Sequence, residues 1–327
     1  MQLHRRASGT RARGLRAAAA ALITLAAAGC ASSTASPADD GRISVVASTA
    51  VWAAIAEQIG GPTVDVQAIV PRGQDPHEFQ VTPADALTVD RADVLLANGG
   101  GYDAFFTSLV RGVSASAPVI DAAALHAEQP EADGSEHGHG HGHGHSDGDG
   151  HGHGAINEHL WFDLGTVDAV ADDLAGRLAT IAPADADAFH ARADALQAQL
   201  RSLEDRSAAI AADRPRPVVA TEPVAHYLLA GAGIEDLTPP EFGEAIEHGS
   251  DPAPAVIAHL AALLSGGGVS ALVYNTQTDS PSTEAMLRDA HRAGIPVVEV
   301  AESPPDGVPY IAWVDTILTA LGKATAR

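Results

Sequence analysis

Residues 184–214 read ADADAFHARADALQAQLRSLEDRSAAIAADR. The run holds neither glycine nor proline, and Pro183 stands where a helix tolerates it best, in the first turn. Leu196, Leu200 and Leu203 lay an apolar stripe along it at helical spacing. A helix of about 30 residues is roughly 45 Å long at 1.5 Å per residue, long enough to join two lobes. The chain on either side supports that reading.

Upstream, short apolar strands alternate with helical segments. RISVVAS (42–48), VDVQAIV (64–70), DVLLANG (93–99) and APVID (117–121) are rich in β-branched residues. TAVWAAIAEQIGG, TPADALTVDRA and YDAFFTSLVRGV separate them as helices. Downstream the alternation returns, with strands PVVATE (217–222), ALVYNTQT (271–278) and IPVVEVAE (295–302) and a closing helix YIAWVDTILTALGKA. Apolar strands alternating with helices predict parallel sheets covered on both faces. The expected fold is therefore α/β: two Rossmann-like lobes, at 42–165 and 215–327, joined by helices at 166–214. The site is expected in the cleft between them.

Residues 122–154 break the pattern, and the His-rich part of this loop is set at 126–154. Its heart, EHGHGHGHGHSDGDGHGHG at 136–154, carries His137, His139, His141, His143, His145, His151 and His153. No packed core can form from glycine, histidine and acid, so a mobile surface loop is expected. Alternating imidazoles without fixed geometry predict an accessory metal tract of modest affinity per ion. Imidazole prefers Zn²⁺ to Mn²⁺.

The start of the chain reads as a leader. MQLHRRASGTRARGLR is basic, LRAAAAALITLAAAG is apolar, and Cys30 follows small residues. Residues 1–29 are expected to be a lipoprotein signal, Cys30 the lipidated residue and 30–41 a flexible tether. That would place the protein on the outer face of a cell membrane. The net charge of −23 argues against nucleic-acid binding and suits a cation ligand.

Four residues stand at positions where open α/β sheets present ligand groups. His77 lies in VPRGQDPHEFQ after the second strand. His159 lies in INEHLWFDL just before a helix. Glu222 ends the first strand of the second lobe, and Glu302 ends the last strand. Two imidazoles and two carboxylates from two lobes can close around one divalent cation, for which Zn²⁺ and Mn²⁺ both have suitable hardness. Glu78 adjoins His77 and reads as a solvated loop charge or, alternatively, as a further carboxylate. Asp163 reads as a supporting acid or helix cap. His248, His259 and His291 read as structural or exposed.

Residues 42–322 resemble the cluster A-I substrate-binding proteins of metal ABC transporters, the zinc and manganese family. DPHEF resembles the family's first ligand motif and EHLWFDL its second, with a His-rich loop between them as in zinc members. The resemblance implies a monomeric, non-catalytic protein with two α/β lobes on a rigid linking helix. It would hand a cation, zinc first and manganese as the alternative, to a membrane permease. It implies ligands at His77, His159, Glu222 and Glu302, with Asp279 the rival for the fourth place. Zinc members carry a third His where this chain has Glu222, a manganese-type residue; His226 is a possible replacement. A surface metal buffer or adhesin is the other alternative. Neither HExxH nor GxSxG occurs, which weighs against a zinc hydrolase.

Overall fold

The computed structural model describes residues 41–114, 116–129, 156–278 and 280–326. The first half builds a four-stranded parallel sheet from β1 (Ile43–Thr49), β2 (Val64–Val70), β3 (Val94–Ala97) and β4 (Val119–Asp121), in the order β2-β1-β3-β4. Val45 of the central β1 is in register with Val66 on one side and Val94 on the other. Both faces are covered, so β1 and β3 are buried along almost their whole length instead of alternating between buried and exposed. Helices α1 (Ala50–Gly60), α2 (Pro83–Asp90), α3 (Ala104–Gly112) and α4 (Ala122–Ala127) connect and flank these strands.

Two helices then cross to the second half: α5 (Leu164–Ile181) and α6 (Ala186–Ala212). Pro183 opens a 3₁₀ turn that runs into α6. The buried positions of α6 are Phe189, Ala193, Leu196, Leu200, Leu203 and Ser207, a four-three spacing that keeps one narrow seam inward. The Arg192 side chain donates from Nε to Ile59 O (2.6 Å) and from Nη2 to Gly60 O (2.8 Å). It thereby caps the orphan carbonyls at the end of α1. Further along, Arg206 pairs with Asp315 (2.6 Å) on the closing helix.

The second half holds a three-stranded parallel sheet, β5 (Val219–Ala220), β6 (Leu272–Asn275) and β7 (Val297–Val300), in that order. Around it lie α7 (His226–Gly231), α8 (Pro240–Glu247), α9 (Pro254–Ser265), α10 (Pro281–Ala293) and α11 (Tyr310–Thr325). One apolar cluster runs without a break from Ile43 and Val45, through Leu174 and Leu196, to Val273, Val300 and Leu318. Smaller clusters fill the outer face of each sheet. The halves are also stitched by Tyr310, whose hydroxyl donates to Trp161 O (2.7 Å), and by Arg72, whose Nη1 donates to Pro304 O (2.9 Å).

The expected two-lobed α/β fold on a long helix is what the chain adopts. Two helices were absent from the sequence reading. A loop was expected from residue 122, but Asp121 accepts the Ala124 N–H (3.0 Å) and starts α4, which carries His126. Helix α8 hides in PPEFGEAIE, where Phe242 and Ile246 bury one turn apart despite the prolines and Gly243. The second-lobe strands are also shorter than read, with β5 only two residues long. Among the described residues no helix is long and apolar enough to cross a membrane.

Candidate metal centre

Loops at the carboxyl ends of both sheets face each other. After β2 the chain turns through Gly73 (φ 74°), and Asp75 Oδ1 accepts the backbone N–H of His77 (2.8 Å). Phe79 packs on Phe105 at 5.4 Å and anchors the far end of this turn. After β3, Gly99, Gly100 and Gly101 all take left-handed φ values (74°, 66° and 104°). The Asp103 carboxylate accepts the N–H groups of Asn98 (2.6 Å) and Gly99 (3.0 Å) and holds this tight bend. A Cβ on Gly99 would lie 2.0 Å from Asp121 Oδ1, so glycine is required there. The bend presents Tyr102 to the opposite lobe, where its hydroxyl donates to Glu302 Oε2 (2.6 Å).

From the second sheet come Glu222 after β5, Asn275 at the end of β6 and Glu302 after β7. The Asn275 side-chain amide donates to Glu222 Oε2 (2.5 Å) and Glu302 Oε1 (3.2 Å) and so holds the two carboxyls side by side. Its Oδ1 accepts the Gln277 N–H (3.1 Å), which fixes the amide's orientation. Gln277 Oε1 in turn accepts the Glu302 N–H.

The four sequence-predicted residues fall into two neighbouring groups and a flank. Ligand atoms of Asp75, His77 and Glu302 lie within 4.8 Å of one another, and so do those of Glu158, His159 and Glu247. His77 Nε2 is 3.6 Å from Glu158 Oε1, which joins the groups. Glu222 belongs to neither; Asn275 ties it to Glu302. The sequence reading missed Asp75, Glu158 and Glu247. The first two adjoin the motif histidines, in DPH and EH, so proximity in sequence was a usable signal. Glu247 sits at the end of the unrecognised α8 and had none.

Burial governs the electrostatics. His159 is 1% exposed, and burial pushes its imidazole down to about 3, with His77 and His226 adding repulsion. The ring is neutral at physiological pH, the form that binds metals. Burial pushes the Glu222 carboxyl up to about 8, with Glu302 adding to the effect and Asn275 opposing it. Glu247 is also pushed up to about 8 by burial and then by Glu158, Glu222 and Glu302. Burial raises Glu302 as well. Among the described residues no Arg or Lys pairs with Asp75, Glu222, Glu247 or Glu302. Among the described residues, these four carboxyls thus converge with two imidazoles without an Arg or Lys partner, a constellation suited to a divalent ion.

The remaining candidates separate clearly. Glu78 is exposed and borders a cavity of about 600 Å³ together with Asp75, His77 and Glu247. His226 is exposed on α7, beside Glu222 in a second cavity. Asp163 occupies the N-cap position of α5, but its side chain takes no helix N–H. Its Oδ2 meets His126 Nδ1 (2.7 Å) and Thr166 Oγ1 (2.6 Å), so it supports α4 and not His159. His248, His259 and His291 are exposed. Glu299 points away from the core between buried Val298 and Val300. Asp279, Cys30, residues 1–29 and the tract from His137 to His153 lie outside the described residues.

These features define a two-lobed α/β protein with a polar cleft site at the carboxyl edges of its sheets. A family model described as "Zinc-uptake complex component A periplasmic" matches residues 45–324, and the chain belongs to that family. The manganese-binding lipoprotein MntA of Halalkalibacterium halodurans is 29% identical over 194 residues, 56% of this chain and 55% of its own length. The chain thus spans about half of that relative. The iron ABC transporter substrate-binding lipoprotein MtsA of Streptococcus pyogenes serotype M1 is 24% identical over 319 residues, covering 91% of this chain and 94% of MtsA. Among solved structures, the periplasmic zinc binding protein TroA from Treponema pallidum matches with a TM-score of 0.68 at 19% identity, over 88% of this chain and 100% of that one. That likeness speaks to the fold.

Proposed function

We propose that this chain is the capture component of a metal importer. It binds one divalent transition-metal ion in the cleft between the two sheets and delivers it to an ABC permease in the membrane. The observation that carries the reading is the convergence of buried, uncompensated carboxyls with a neutral buried imidazole, drawn from both halves of the chain. His77, His159, Glu222 and Glu302 are the proposed ligands, with Asp75, Glu158 and Glu247 close enough to contribute. Release proceeds by displacement of the rim loops, since the apolar core is continuous between the halves. Residues 1–29 act as an export signal, and Cys30 carries the lipid that holds the protein on the outer face of the membrane. No turnover is assigned to the site.

Zinc is the first cargo. The histidine tract at 137–153 supports it, serving as a loose collector that feeds the cleft. A specific observation favours manganese as the second reading. Glu222, Glu302 and the three neighbouring acids make the cleft rich in oxygen donors, and harder, higher-coordinate ions favour such sets. Competition of Zn²⁺ and Mn²⁺ for metal-free protein, in the full chain and in a variant lacking residues 136–154, tests both. The tightest site should survive loop removal and be lost in Glu222→Ala. If the tight site disappears with the loop instead, the cleft is not the cargo site. Radioactive metal uptake by cells lacking the protein separates an importer from a surface metal buffer.

A further inference from the structure

Asn157 is not among the proposed ligands, yet it makes four hydrogen bonds at the seam between the halves. Its Oδ1 accepts the His159 backbone N–H (2.9 Å) and meets His159 Nδ1 (3.0 Å). Its Nδ2 donates to Pro223 O (3.1 Å), the carbonyl one residue beyond Glu222. Its own backbone carbonyl accepts the Tyr227 hydroxyl (2.8 Å).

The chemistry of these partners leaves one arrangement. A backbone N–H can only donate, so the side-chain atom facing the His159 N–H must be the amide oxygen. A carbonyl can only accept, so the atom facing Pro223 must be the amide nitrogen. With the amide oriented from both sides, its oxygen can only accept from His159 Nδ1. That nitrogen therefore carries the ring proton, and Nε2 keeps the free lone pair. A histidine in the opposite tautomer would turn an N–H toward an incoming cation.

We infer that Asn157 is a positioning residue for the cargo site. It locks His159 in the Nδ1–H tautomer with Nε2 free for the metal, and through Pro223 it ties that imidazole to the segment bearing Glu222. The inference rests on the cleft reading for its purpose, but the tautomer is a property of the metal-free protein. Partners of this kind change metal affinity by about 10- to 100-fold when removed.

The test uses the full chain, two Asn157 variants and His159→Gln for assignment. Long-range ¹H–¹⁵N correlation of the His159 ring, assigned with His159→Gln, reports the tautomer without metal. Chelator competition with Zn²⁺ reports the tightest site. The wild type should show a single Nδ1–H form. Asn157→Ala should show mixed or reversed tautomers and bind Zn²⁺ about 10- to 100-fold more weakly. Asn157→Asp keeps the acceptor but not the donor to Pro223. It should retain the Nδ1–H form and release Zn²⁺ faster than wild type. An unchanged tautomer in Asn157→Ala overturns the inference, whatever happens to affinity. So does a changed tautomer with affinity within threefold of wild type. If Zn²⁺ leaves the His159 ring signals of the wild type untouched, the cleft reading fails while the tautomer result still stands.

Discussion

The metal-free protein should be most stable in mild acid and weaken toward pH 8, and Glu222 lets the size be worked out. Its carboxyl is 4% exposed and is pushed from 4.5 to about 8. A raised folded-state value means the folded chain holds a proton that the unfolded chain has already lost. The associated stability is complete below pH 4.5 and is lost as pH rises toward 8. His159 works in the other direction. Its value falls from 6.5 to about 3, so its contribution is complete above 6.5 and is lost as pH falls toward 3. Between pH 4.5 and 6.5 the two slopes cancel. Above 6.5 only Glu222 titrates of this pair, and at about 1.4 kcal/mol per pH unit it removes roughly 2 kcal/mol by pH 8. Glu247 and Glu302 are shifted in the same direction as Glu222 and steepen the fall.

The assay is urea denaturation of chelator-treated wild type and Glu222→Gln at intervals from pH 5 to 8.5. Glutamine keeps an oxygen for Asn275 and removes the titration. The variant should gain about 2 kcal/mol relative to wild type between pH 6.5 and 8. Saturating Zn²⁺ should reverse the wild-type trend, because the cation favours the ionised carboxylates. A difference between the two proteins that stays flat over that interval would falsify the assignment of a buried, protonated Glu222.

Three other outcomes follow from the same geometry. Zn²⁺ binding at pH 7 should release at least one proton, read by calorimetry in buffers of different ionisation enthalpy; no release would mean the carboxyls are already ionised. Tyr102→Phe removes the hydroxyl that orients Glu302 and should weaken the tightest cation site about tenfold, whereas an effect under twofold would make that contact incidental. Arg192→Ala strips the cap from α1 and should cost about 2–4 kcal/mol in urea with cation affinity unchanged. A cost below about 1 kcal/mol would mean water replaces the guanidinium.

Most of the architecture was legible because strands buried on both faces leave a simple trace. VVA and VLLA can hardly be anything but interior strands, and the α6 seam shows at Leu196, Leu200 and Leu203. Helix α4 was obscured by its run of alanines, which carries no amphipathic signal, although Asp121 marked its start. Helix α8 was obscured because its prolines and glycine read as a breaker; only tertiary packing of Phe242 and Ile246 makes it a helix. The candidate site followed the same division. His77, His159, Glu222 and Glu302 became candidates through their places along the chain together with the resemblance of their motifs to those of metal-binding proteins. Their grouping could not, because Glu247 meets Glu158 and His159 only after α8 folds across the cleft. The part assigned to Asp163 shows the limit of local reasoning. Its N-cap position was readable, but its partner, His126, belonged to a stretch read as loop.

The unbroken apolar interior has a consequence for signalling. Seams of packed Leu, Phe and Val on α5 and α6 serve both sheets, so neither half can swing without opening its neighbour's core. On the proposed function, occupancy would then leave the overall outline unchanged. The proposed permease would have to tell a loaded molecule from an empty one at the rim, in the posture of the few turns that carry Asp75, Tyr102, Glu158 and Glu302.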